Sequence, residues 1–272
     1  MKNVAVIMSV YKNDTVKNTK LAIDSIVSQE SCHVYLFIQV DGLVSAQLRD
    51  ALEEYGTRTN ITIDFQEQNK GLAYQLNIAI ERVKKSGIYF DYLARMDADD
   101  ISLSFRFKKQ IEYLENKPQI AVLGSDILEF FPDGREQYKK MESNHSILKK
   151  NIIKKCPLNH PSVIFNLNVI SINEINYNVD MKNTQDYYLW VSLLSQGFIF
   201  SNINEPLLRF RVDANFNKRR GLSKLKNDLN ARLYALNKLK IHSLKNYVYI
   251  LLLVLFRLSP SPIKTIAYKY LR

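Results

Sequence analysis

The sequence predicts an α/β protein with a mainly parallel central sheet flanked by helices, followed by a basic, amphipathic helical tail. In residues 1–130, short apolar and β-branched segments alternate with segments whose apolar side chains recur at helical spacing. This alternation is typical of βαβ units, in which crossover helices join neighbouring parallel strands. The tail differs in charge, because residues 217–272 contain 13 Lys and Arg but one acid, Asp228. Residues 1–216 are almost neutral within the total formal charge of +11.

The strands are predicted from short apolar runs that end at turn residues. Residues 33–40, HVYLFIQV, are typical, since they are apolar, partly β-branched and followed by the turn dipeptide Asp41-Gly42. On the same grounds, strands are predicted over residues 4–10, 33–40, 61–65, 92–96 and 120–124, with two short strands at 199–200 and 207–211.

The helices are predicted from apolar residues that share one face. In residues 71–83, Leu72, Leu76, Ile80 and Val83 lie on the same side, which defines an amphipathic helix. A later helix opens with Thr184 as its N-cap and ends at a glycine. The predicted helices cover residues 16–29, 47–55, 71–83, 106–114, 184–196 and 222–239.

Length and cysteine content limit the class of protein. A chain of 272 residues exceeds one average domain without clearly making two, and the change in charge predicts a domain over 1–216 and a tail over 217–272. Cys32 and Cys156 have no paired spacing, which excludes a disulfide scaffold and disfavours a thiolate metal site. The first apolar run breaks at Tyr11 and is too short for a signal peptide, so we expect a cytosolic protein.

The most informative segment is RMDADD at residues 95–100, in which three carboxylates follow an apolar strand. Like charges this close repel one another, and burial increases the cost. A divalent cation that prefers oxygen ligands, Mg²⁺ or Mn²⁺, would relieve the repulsion and would share its coordination with substrate phosphates. The alternative is a solvated turn in which Asp100 or Ser102 caps the next helix. The metal interpretation is favoured because the polar turns at 9–14 and 41–42 should lie at the same sheet edge, where ligands bind.

Five short segments follow one another along the chain: Met8-Ser9-Val10-Tyr11, Gln39-Val40-Asp41-Gly42, Asn69-Lys70-Gly71-Leu72, the acidic segment at 95–100, and Gln185-Asp186-Tyr187. Each is weak alone, but their order and rough spacing together resemble the family-two glycosyltransferases of GT-A fold. The resemblance runs from Val4 to about Arg211. It implies a Rossmann-like domain and an inverting transfer of a hexose or N-acetylhexosamine from a UDP-sugar, similar to bacterial O-antigen and capsule enzymes.

The resemblance places the donor nucleotide at the strand ends. Ser9 and Tyr11 would offer backbone N–H groups and an aromatic face to the base, and Asp41 would accept from a uracil N–H. The helix beginning at Asn69-Lys70-Gly71 would bind the donor phosphates at its N-terminus. Each of these has a structural alternative as a turn or a helix cap. The donor contacts that it implies are Ser9, Tyr11, Asp41, Asn69, Lys70, Gly71, Arg95, Asp97 and Arg211.

The resemblance also implies the metal and catalytic residues. Asp99 and Asp97 would hold the divalent metal, and His160 in the segment His160-Pro161-Ser162 would be a further ligand or an acceptor contact. Asp186 would be the catalytic base that deprotonates the acceptor hydroxyl. Family members carry an acidic pair here, and Gln185 departs from that pattern.

Trp190, in the same helix as Asp186, is predicted to line the acceptor sugar site by stacking, with core packing as the alternative. The tail suggests where the acceptor is met. Residues 247–258, YVYILLLVLFRL, are nearly all apolar but too few to span a bilayer. With the basic stretch 263–272, they predict a peripheral helix in the membrane interface. We therefore expect a lipid-linked, undecaprenyl-diphosphate saccharide as acceptor, at the cytoplasmic face of the inner membrane.

Two other functions compete with sugar transfer for parts of this sequence. A nucleic-acid-binding protein would explain the sequence pI of about 9.4, but the charge lies outside the predicted cleft and among bulky aliphatic residues. A nucleotidyltransferase would usually show a Gly-rich basic loop after the first strand, where this chain has Ser9-Val10-Tyr11-Lys12-Asn13. The sequence therefore favours a glycosyltransferase that does not act on nucleic acid.

Overall fold

The computed structural model describes residues 1–181, 183–212 and 222–259, without the side chains of 222–224 and 257. The strands are β1 (Lys2–Tyr11), β2 (Cys32–Asp41), β3 (Ile61–Phe65), β4 (Tyr92–Asp97), β5 (Ile101–Ser102), β6 (Ile120–Phe130), β7 (Glu136–Lys139), β8 (Ile164–Asn166) and β9 (Ile199–Arg211). The helices are α1 (Val16–Val27), α2 (Ala46–Gly56), α3 (Leu72–Lys85), α4 (Arg106–Asn116), α5 (His145–Lys150), α6 (Gln185–Ser195), α7 (Leu222–Leu239) and α8 (Leu244–Leu258). Two short 3-10 turns, His160–Ser162 and Ile172–Glu174, precede α6.

The strands form one sheet in the order β3-β2-β1-β4-β8-β6-β9-β5, with β7 paired to β6. The first four positions in this order are mutually parallel, as the alternation of strands and helices predicts. β8 then runs antiparallel between β4 and β6, and β9 is parallel to β6. The predicted α/β class with a mainly parallel core is confirmed.

Both faces of the sheet are covered by helices, which explains why its central strands are apolar throughout. In β1, Ala5 and Ile7 point into a core shared with α3 and α6, whereas Val6 and Met8 point into a second core. The second core is completed by buried residues of α1, α2 and α4. Side chains on both faces of β1 are therefore shielded from water, and two hydrophobic cores, one on each face, stabilise the sheet.

Several elements differ from the sequence prediction. The two short strands expected at 199–200 and 207–211 are parts of one strand, β9, and β6 extends well beyond residue 124. β5, β7, β8 and α5 were not predicted, because elements of two to six residues are too short to show a period. Pairing with neighbouring strands, and not local propensity, stabilises these short strands.

The described part of the tail packs onto the body through α6. The rings of Tyr188 and Tyr234 lie 4.6 Å apart, and the Arg232 guanidinium lies 4.1 Å from the centre of the Tyr187 ring. Arg232 also donates to the carbonyl oxygen of Ile152 at 3.3 Å. The predicted boundary between residues 216 and 217 and the basic stretch 263–272 lie outside the described residues. Among the residues described, no helix is long and apolar enough to cross a membrane.

We expect Gly42→Ala to destabilise the fold more than Gly87→Ala. Both glycines have positive φ, +83° and +72°, but a Cβ at Gly42 would lie 2.8 Å from the Asn69 nitrogen, whereas Gly87 faces open space. A left-handed alanine costs roughly 1–2 kcal/mol at either site, and Gly42→Ala must also displace Asn69. Urea unfolding of the two variants measures the difference. Equal losses of unfolding free energy in the two variants would contradict the close approach of Gly42 to Asn69.

Candidate active site

The carboxyl ends of β1, β2 and β4 lie side by side at one edge of the sheet. The register pairs Ser9 with Asp97 and Tyr11 with Asp41. In open α/β sheets, ligands bind beyond this edge, because the strand ends and the helix N-termini leave a crevice there. The register therefore brings together residues that the sequence places far apart.

Three carboxylates gather immediately after β4. Asp97 is the last residue of the strand, and Asp99 and Asp100 follow in the turn to β5. One oxygen atom from each of the three lies within 4.8 Å of the others. Asp100 is completely buried, whereas Asp97 and Asp99 are partly exposed toward the crevice edge. This is the predicted metal segment in a geometry that would place several carboxylate oxygens around one cation.

The electrostatics of the cluster favour a cation. Burial and the neighbouring Asp97 charge raise the pKa of Asp99 to about 6, and burial with both neighbouring charges raises the pKa of Asp100 well above its usual range. Within the described part of the chain, the buried Oδ2 atom of Asp100 has no hydrogen-bond partner. Hard carboxylate oxygens of this kind suit Mg²⁺ or Mn²⁺. The residues present therefore match the divalent metal that the sequence implies.

Two arginines offset part of this negative charge. Arg95 is only 2% exposed and forms an ion pair with Asp97. Arg211, at the end of β9, donates its backbone N–H to Asp100 Oδ1 at 2.8 Å and its Nε–H to the carbonyl oxygen of Asp99 at 2.8 Å. Both predicted donor contacts are thus brought to the acidic turn, and Arg211 also ties β9 to it.

Asp14 joins the site although the sequence did not single it out. Its Oδ2 accepts the backbone N–H of Tyr11 at 2.8 Å, so the carboxylate folds back over the end of β1. Burial, together with the charges of Asp99 and Asp97, raises the pKa of Asp14 to about 7. The available signal was an acid in the polar turn after the first strand, but its proximity to the acidic segment depends on the β1–β4 pairing.

The Asp41 carboxylate forms the N-terminal cap of α3. It accepts hydrogen bonds from the backbone N–H of Lys70 at 2.7 Å, the backbone N–H of Gly71 at 3.0 Å and the Gln75 side chain at 2.6 Å. The anion at this helix N-terminus is therefore Asp41 itself, and donor binding by Asn69, Lys70 and Gly71 stays a prediction. The side chains of Asn69 and Lys70 are exposed beside it. The base contact of Asp41 stays a prediction.

Asp186 lies in the first turn of α6 and is partly exposed. Burial raises the pKa of the Tyr177 hydroxyl, and the charges of both Asp186 and Asp97 raise it further. The two carboxylates therefore lie in the neighbourhood of the same tyrosine, although they are separated by 89 positions in the chain. Asp186 and Asp97 thus both act electrostatically on Tyr177, and the role of Asp186 as the base stays a prediction.

Tyr177 is held from two directions. Its backbone N–H donates to Asn77 Oδ1 at 2.9 Å, and its carbonyl oxygen accepts from Asn77 Nδ2 at 2.8 Å. Its hydroxyl lies 2.9 Å from His160 Nε2. Asn77 belongs to α3, so these contacts join the helix beside the strand ends to the segment leading into α6. Neither Asn77 nor Tyr177 was predicted, because nothing local distinguishes a bridging polar residue from an ordinary one.

His160 is not among the carboxylates that gather after β4, and its role as a further metal ligand or acceptor contact stays a prediction. Its ring is 8% exposed and hydrogen-bonded to Tyr177. Burial and the nearby Arg95 charge hold the pKa of His160 well below its usual range. The imidazole is therefore neutral and acts as a buried support for Tyr177.

Trp190 is completely buried, which argues against its predicted contact with the acceptor sugar. Its ring lies 5.9 Å from each of His160, Phe165 and Phe200. These contacts enclose the indole within the core between α6 and the sheet. Core packing, the alternative recognised from the sequence, accounts for Trp190.

We expect Tyr177→Phe to destabilise the protein by roughly 1–3 kcal/mol, because the buried His160 nitrogen would lose its partner. Tyr89→Phe is the matched control, since the Tyr89 hydroxyl bonds to Asn168 at an exposed site. Chemical denaturation of both variants measures the effect. A loss from Tyr177→Phe no larger than that from Tyr89→Phe would show that the His160 contact does not form.

The raised carboxyl pKa values also predict how stability depends on pH. Asp14 and Asp99 have pKa values of about 7 and about 6 in the folded protein, against 3.8 for the free side chain. The folded state therefore holds more protons than the unfolded state between these values, and stability falls as pH rises. We expect the metal-free protein to lose stability from about pH 4 to about pH 7.

Asp14→Asn should reduce this loss, and Asp180→Asn, an exposed substitution of the same type, should leave it unchanged. Unfolding midpoints measured in EDTA across the pH range provide the comparison. A midpoint that rises with pH in the unsubstituted protein would contradict the assigned electrostatics.

Known proteins resemble this chain over most of its length. It is 28% identical over 267 residues to the amylovoran biosynthesis glycosyltransferase AmsE of Erwinia amylovora, with 97% of each chain covered. It is 29% identical over 226 residues to the UDP-Gal:alpha-D-GlcNAc-diphosphoundecaprenol beta-1,3-galactosyltransferase of Escherichia coli, which covers 80% of this chain and 77% of that enzyme.

The fold is likewise shared with a solved structure. The crystal structure of S. aureus TarS 1–349 in complex with UDP-GlcNAc superposes with a TM-score of 0.69 at 15% identity, covering 94% of this chain and 72% of that one. This similarity supports the predicted GT-A-like fold. The family profile described as Glycosyl transferase family 2 matches residues 5–171, more than half of the chain. The chain therefore belongs to glycosyl transferase family 2.

Proposed function

We propose that this glycosyltransferase moves a hexose or N-acetylhexosamine from a UDP-sugar to a lipid-linked saccharide, with inversion at the anomeric carbon and with a divalent metal. The observation that carries the proposal is the cluster of Asp97, Asp99 and Asp100 at the carboxyl end of β4, where one oxygen of each carboxylate lies within 4.8 Å of the others. Inverting transfer needs a base on the acceptor side and stabilisation of the leaving diphosphate on the other side. Asp186 would supply the base, and the cluster of Asp97, Asp99 and Asp100 would hold the cation that stabilises the diphosphate.

The donor would lie across the ends of β1, β2 and β4. Ser9 and Tyr11 are partly exposed at the end of β1, next to the Asp41 cap. The neighbouring Lys70 ammonium is exposed, 4.7 Å from the centre of the Tyr74 ring, and would approach a donor phosphate. Support for a UDP-sugar comes from the UDP-GlcNAc in the TarS structure and from the UDP-Gal in the name of the E. coli relative.

The metal would be held by Asp97 and Asp99, with Asp100 completing the cluster. When bound, the cation would neutralise charge on the departing diphosphate. Arg95 holds Asp97 by an ion pair, and Arg211 holds the turn through the Asp99 carbonyl and the Asp100 carboxylate. These contacts orient the cluster in advance, so that its oxygens need little rearrangement on binding.

Asp186 would act as the base. Its carboxylate would accept the proton of the acceptor hydroxyl while that oxygen attacks the anomeric carbon, and the bond to the UDP oxygen would break on the opposite face. One proton moves to Asp186, and UDP leaves with the bonding electron pair. Since the base is a single carboxylate here, Gln185 would contribute only an amide where other members of the family have an acid.

The acceptor is proposed to be an undecaprenyl-diphosphate saccharide at the cytoplasmic face of the inner membrane. The name of the E. coli relative contains a diphosphoundecaprenol acceptor, and that of AmsE contains amylovoran biosynthesis. The basic tail, with 13 Lys and Arg in residues 217–272, suits an anionic leaflet in which such an acceptor lies. Membership of the glycosyltransferase family favours sugar transfer over the nucleotidyltransferase alternative.

The test is a screen of UDP- and GDP-sugars with an undecaprenyl-diphosphate saccharide, with and without EDTA, that measures both free nucleotide and glycosylated product. We expect UDP release and product only with a UDP-sugar and a divalent metal. Asp186→Asn should lower turnover by at least about 100-fold, the usual contribution of a general base, while UDP binding measured by calorimetry stays unchanged.

Asp180→Asn is the control, because it makes the same change at an exposed position outside the site. Retained turnover in Asp186→Asn would exclude Asp186 as the base. Release of pyrophosphate would indicate nucleotidyl transfer, and undiminished turnover in EDTA would exclude the metal.

A further inference from the structure

One face of α8 is apolar and exposed along its whole length. We call this face the α8 stripe. Its members recur every three or four positions, as a single helical face requires. They are Leu244, Tyr247, Val248, Leu251, Leu252, Leu255 and Leu258, with exposed fractions between 44% and 81%. Exposed apolar surface that is continuous in this way marks an interaction site more often than a solvated surface.

The opposite face of α8 fixes the direction of the α8 stripe. Ile250 is buried in the core that contains Ile152 and Tyr187, and Asn246 is buried with its amide donating to the carbonyl oxygen of Ile241 at 2.8 Å. Ser243 caps the helix by accepting from the Asn246 N–H at 3.3 Å. The helix is therefore seated on the body, and the α8 stripe faces away from it.

Basic side chains border the α8 stripe on the side of the body. The Lys154 and Lys245 ammonium groups lie 5.7 Å and 5.6 Å from the centre of the Tyr249 ring, so that one lysine of the body and one of α8 meet at this tyrosine. We call this pair the lysine rim. Residues 139–155 contain six lysines, Lys154 among them, and one acid, Glu142. No acidic residue follows Asp228 in the sequence.

We propose that the α8 stripe and the lysine rim together dock onto an anionic lipid leaflet, with α8 lying in the plane of the interface. An apolar face bordered by lysines is the pattern of interfacial helices. A helix of 15 residues is about 22 Å long, less than the roughly 30 Å of a bilayer core, so it lies along the surface. Charge complementarity selects the occupant, because anionic headgroups attract the lysines that border the buried leucines.

Other occupants are disfavoured by the same charges. A second copy docked through the α8 stripe would bring two basic borders together, which costs Coulomb energy. Residues 260–272 carry Lys264, Lys269 and Arg272 and no acid, so their charges do not complement the lysine rim either. An anionic surface satisfies both the apolar and the basic parts of this face.

Docking would place the catalytic side of the protein near the leaflet. Lys154 lies two residues after Ile152. The Ile152 carbonyl oxygen accepts a hydrogen bond of 3.0 Å from the hydroxyl of Tyr187, the residue that follows Asp186. The lysine rim and the start of α6 are thus connected through one short segment. The value of this orientation rests on the proposed function, because it would give a lipid-linked acceptor a short path to Asp186. Lipid binding itself does not depend on the proposed function.

The test is co-sedimentation of the full chain with vesicles of phosphatidylcholine alone and of phosphatidylcholine with phosphatidylglycerol. We expect binding to the mixed vesicles that weakens with salt, and little binding to the neutral vesicles. Leu251→Glu/Leu255→Glu should abolish binding. Lys154→Glu/Lys245→Glu should weaken it by roughly fivefold or more for each lysine replaced. Leu21→Glu/Leu233→Glu is the matched control, because both leucines are similarly exposed on other helices, and it should bind normally.

Three results would overturn the proposal. The first is unchanged binding of the Leu251→Glu/Leu255→Glu variant. The second is a dimer in sedimentation velocity without lipid that this variant dissociates, which would identify a second copy as the occupant. The third is an unfolding midpoint that falls further in the Leu251→Glu/Leu255→Glu variant than in the control variant, which would show that the chain itself covers the α8 stripe.

The same variant separates this proposal from the proposed function. With a water-soluble acceptor analogue, it should release UDP as fast as the unsubstituted protein, since the α8 stripe lies outside the site. Absence of UDP release by both proteins, together with normal vesicle binding by the unsubstituted one, would refute sugar transfer and leave lipid docking standing.

Discussion

The concentration of negative charge after β4 is the constraint around which the site is built. Three carboxylates in four positions would repel one another in a buried turn, and Asp14 adds a fourth from the end of β1. Two arginines from different strands, Arg95 and Arg211, hold the turn by an ion pair and by hydrogen bonds to its backbone and side chains. The arginines lessen the repulsion without removing it, which leaves the site receptive to a further cation.

The neighbouring Asp41 shows how the same residue type can have the opposite task. Its carboxylate receives three hydrogen bonds from α3, whereas Asp100 has an oxygen without a partner among the described residues. The helix N-terminus stabilises the charge of Asp41, because its amides and dipole are directed at it. One acid therefore builds the scaffold at the strand ends, whereas the acids after β4, which is separated from β2 by β1, are not satisfied by a helix N-terminus in this way.

The sequence was a good guide where a residue's role depends on local pattern. The strand and helix periods predicted the parallel half of the sheet, and β3 and α7 have the bounds that were predicted. It was a poor guide where the role depends on distant partners. Trp190 shares α6 with Asp186, yet it is buried in the core, and His160 is held by a hydrogen bond with Tyr177. Asp14 was overlooked for the converse reason, since only strand pairing brings it to the acidic turn.

The contacts that join the site have a consequence for how the protein folds. Asn77 bonds to Tyr177 across 100 positions, and Asp100 bonds to Arg211 across 111. Closing loops of this length costs entropy before the contacts can repay it, so such pairings form late. The pairings of β1 with β2 and of β2 with β3 join segments 30 and 25 positions apart, whereas the contacts of Tyr177 and Arg211 form only when the C-terminal half docks. A chain arrested before that step would have these strands paired but would lack the contacts that hold the acidic turn and Tyr177 in place.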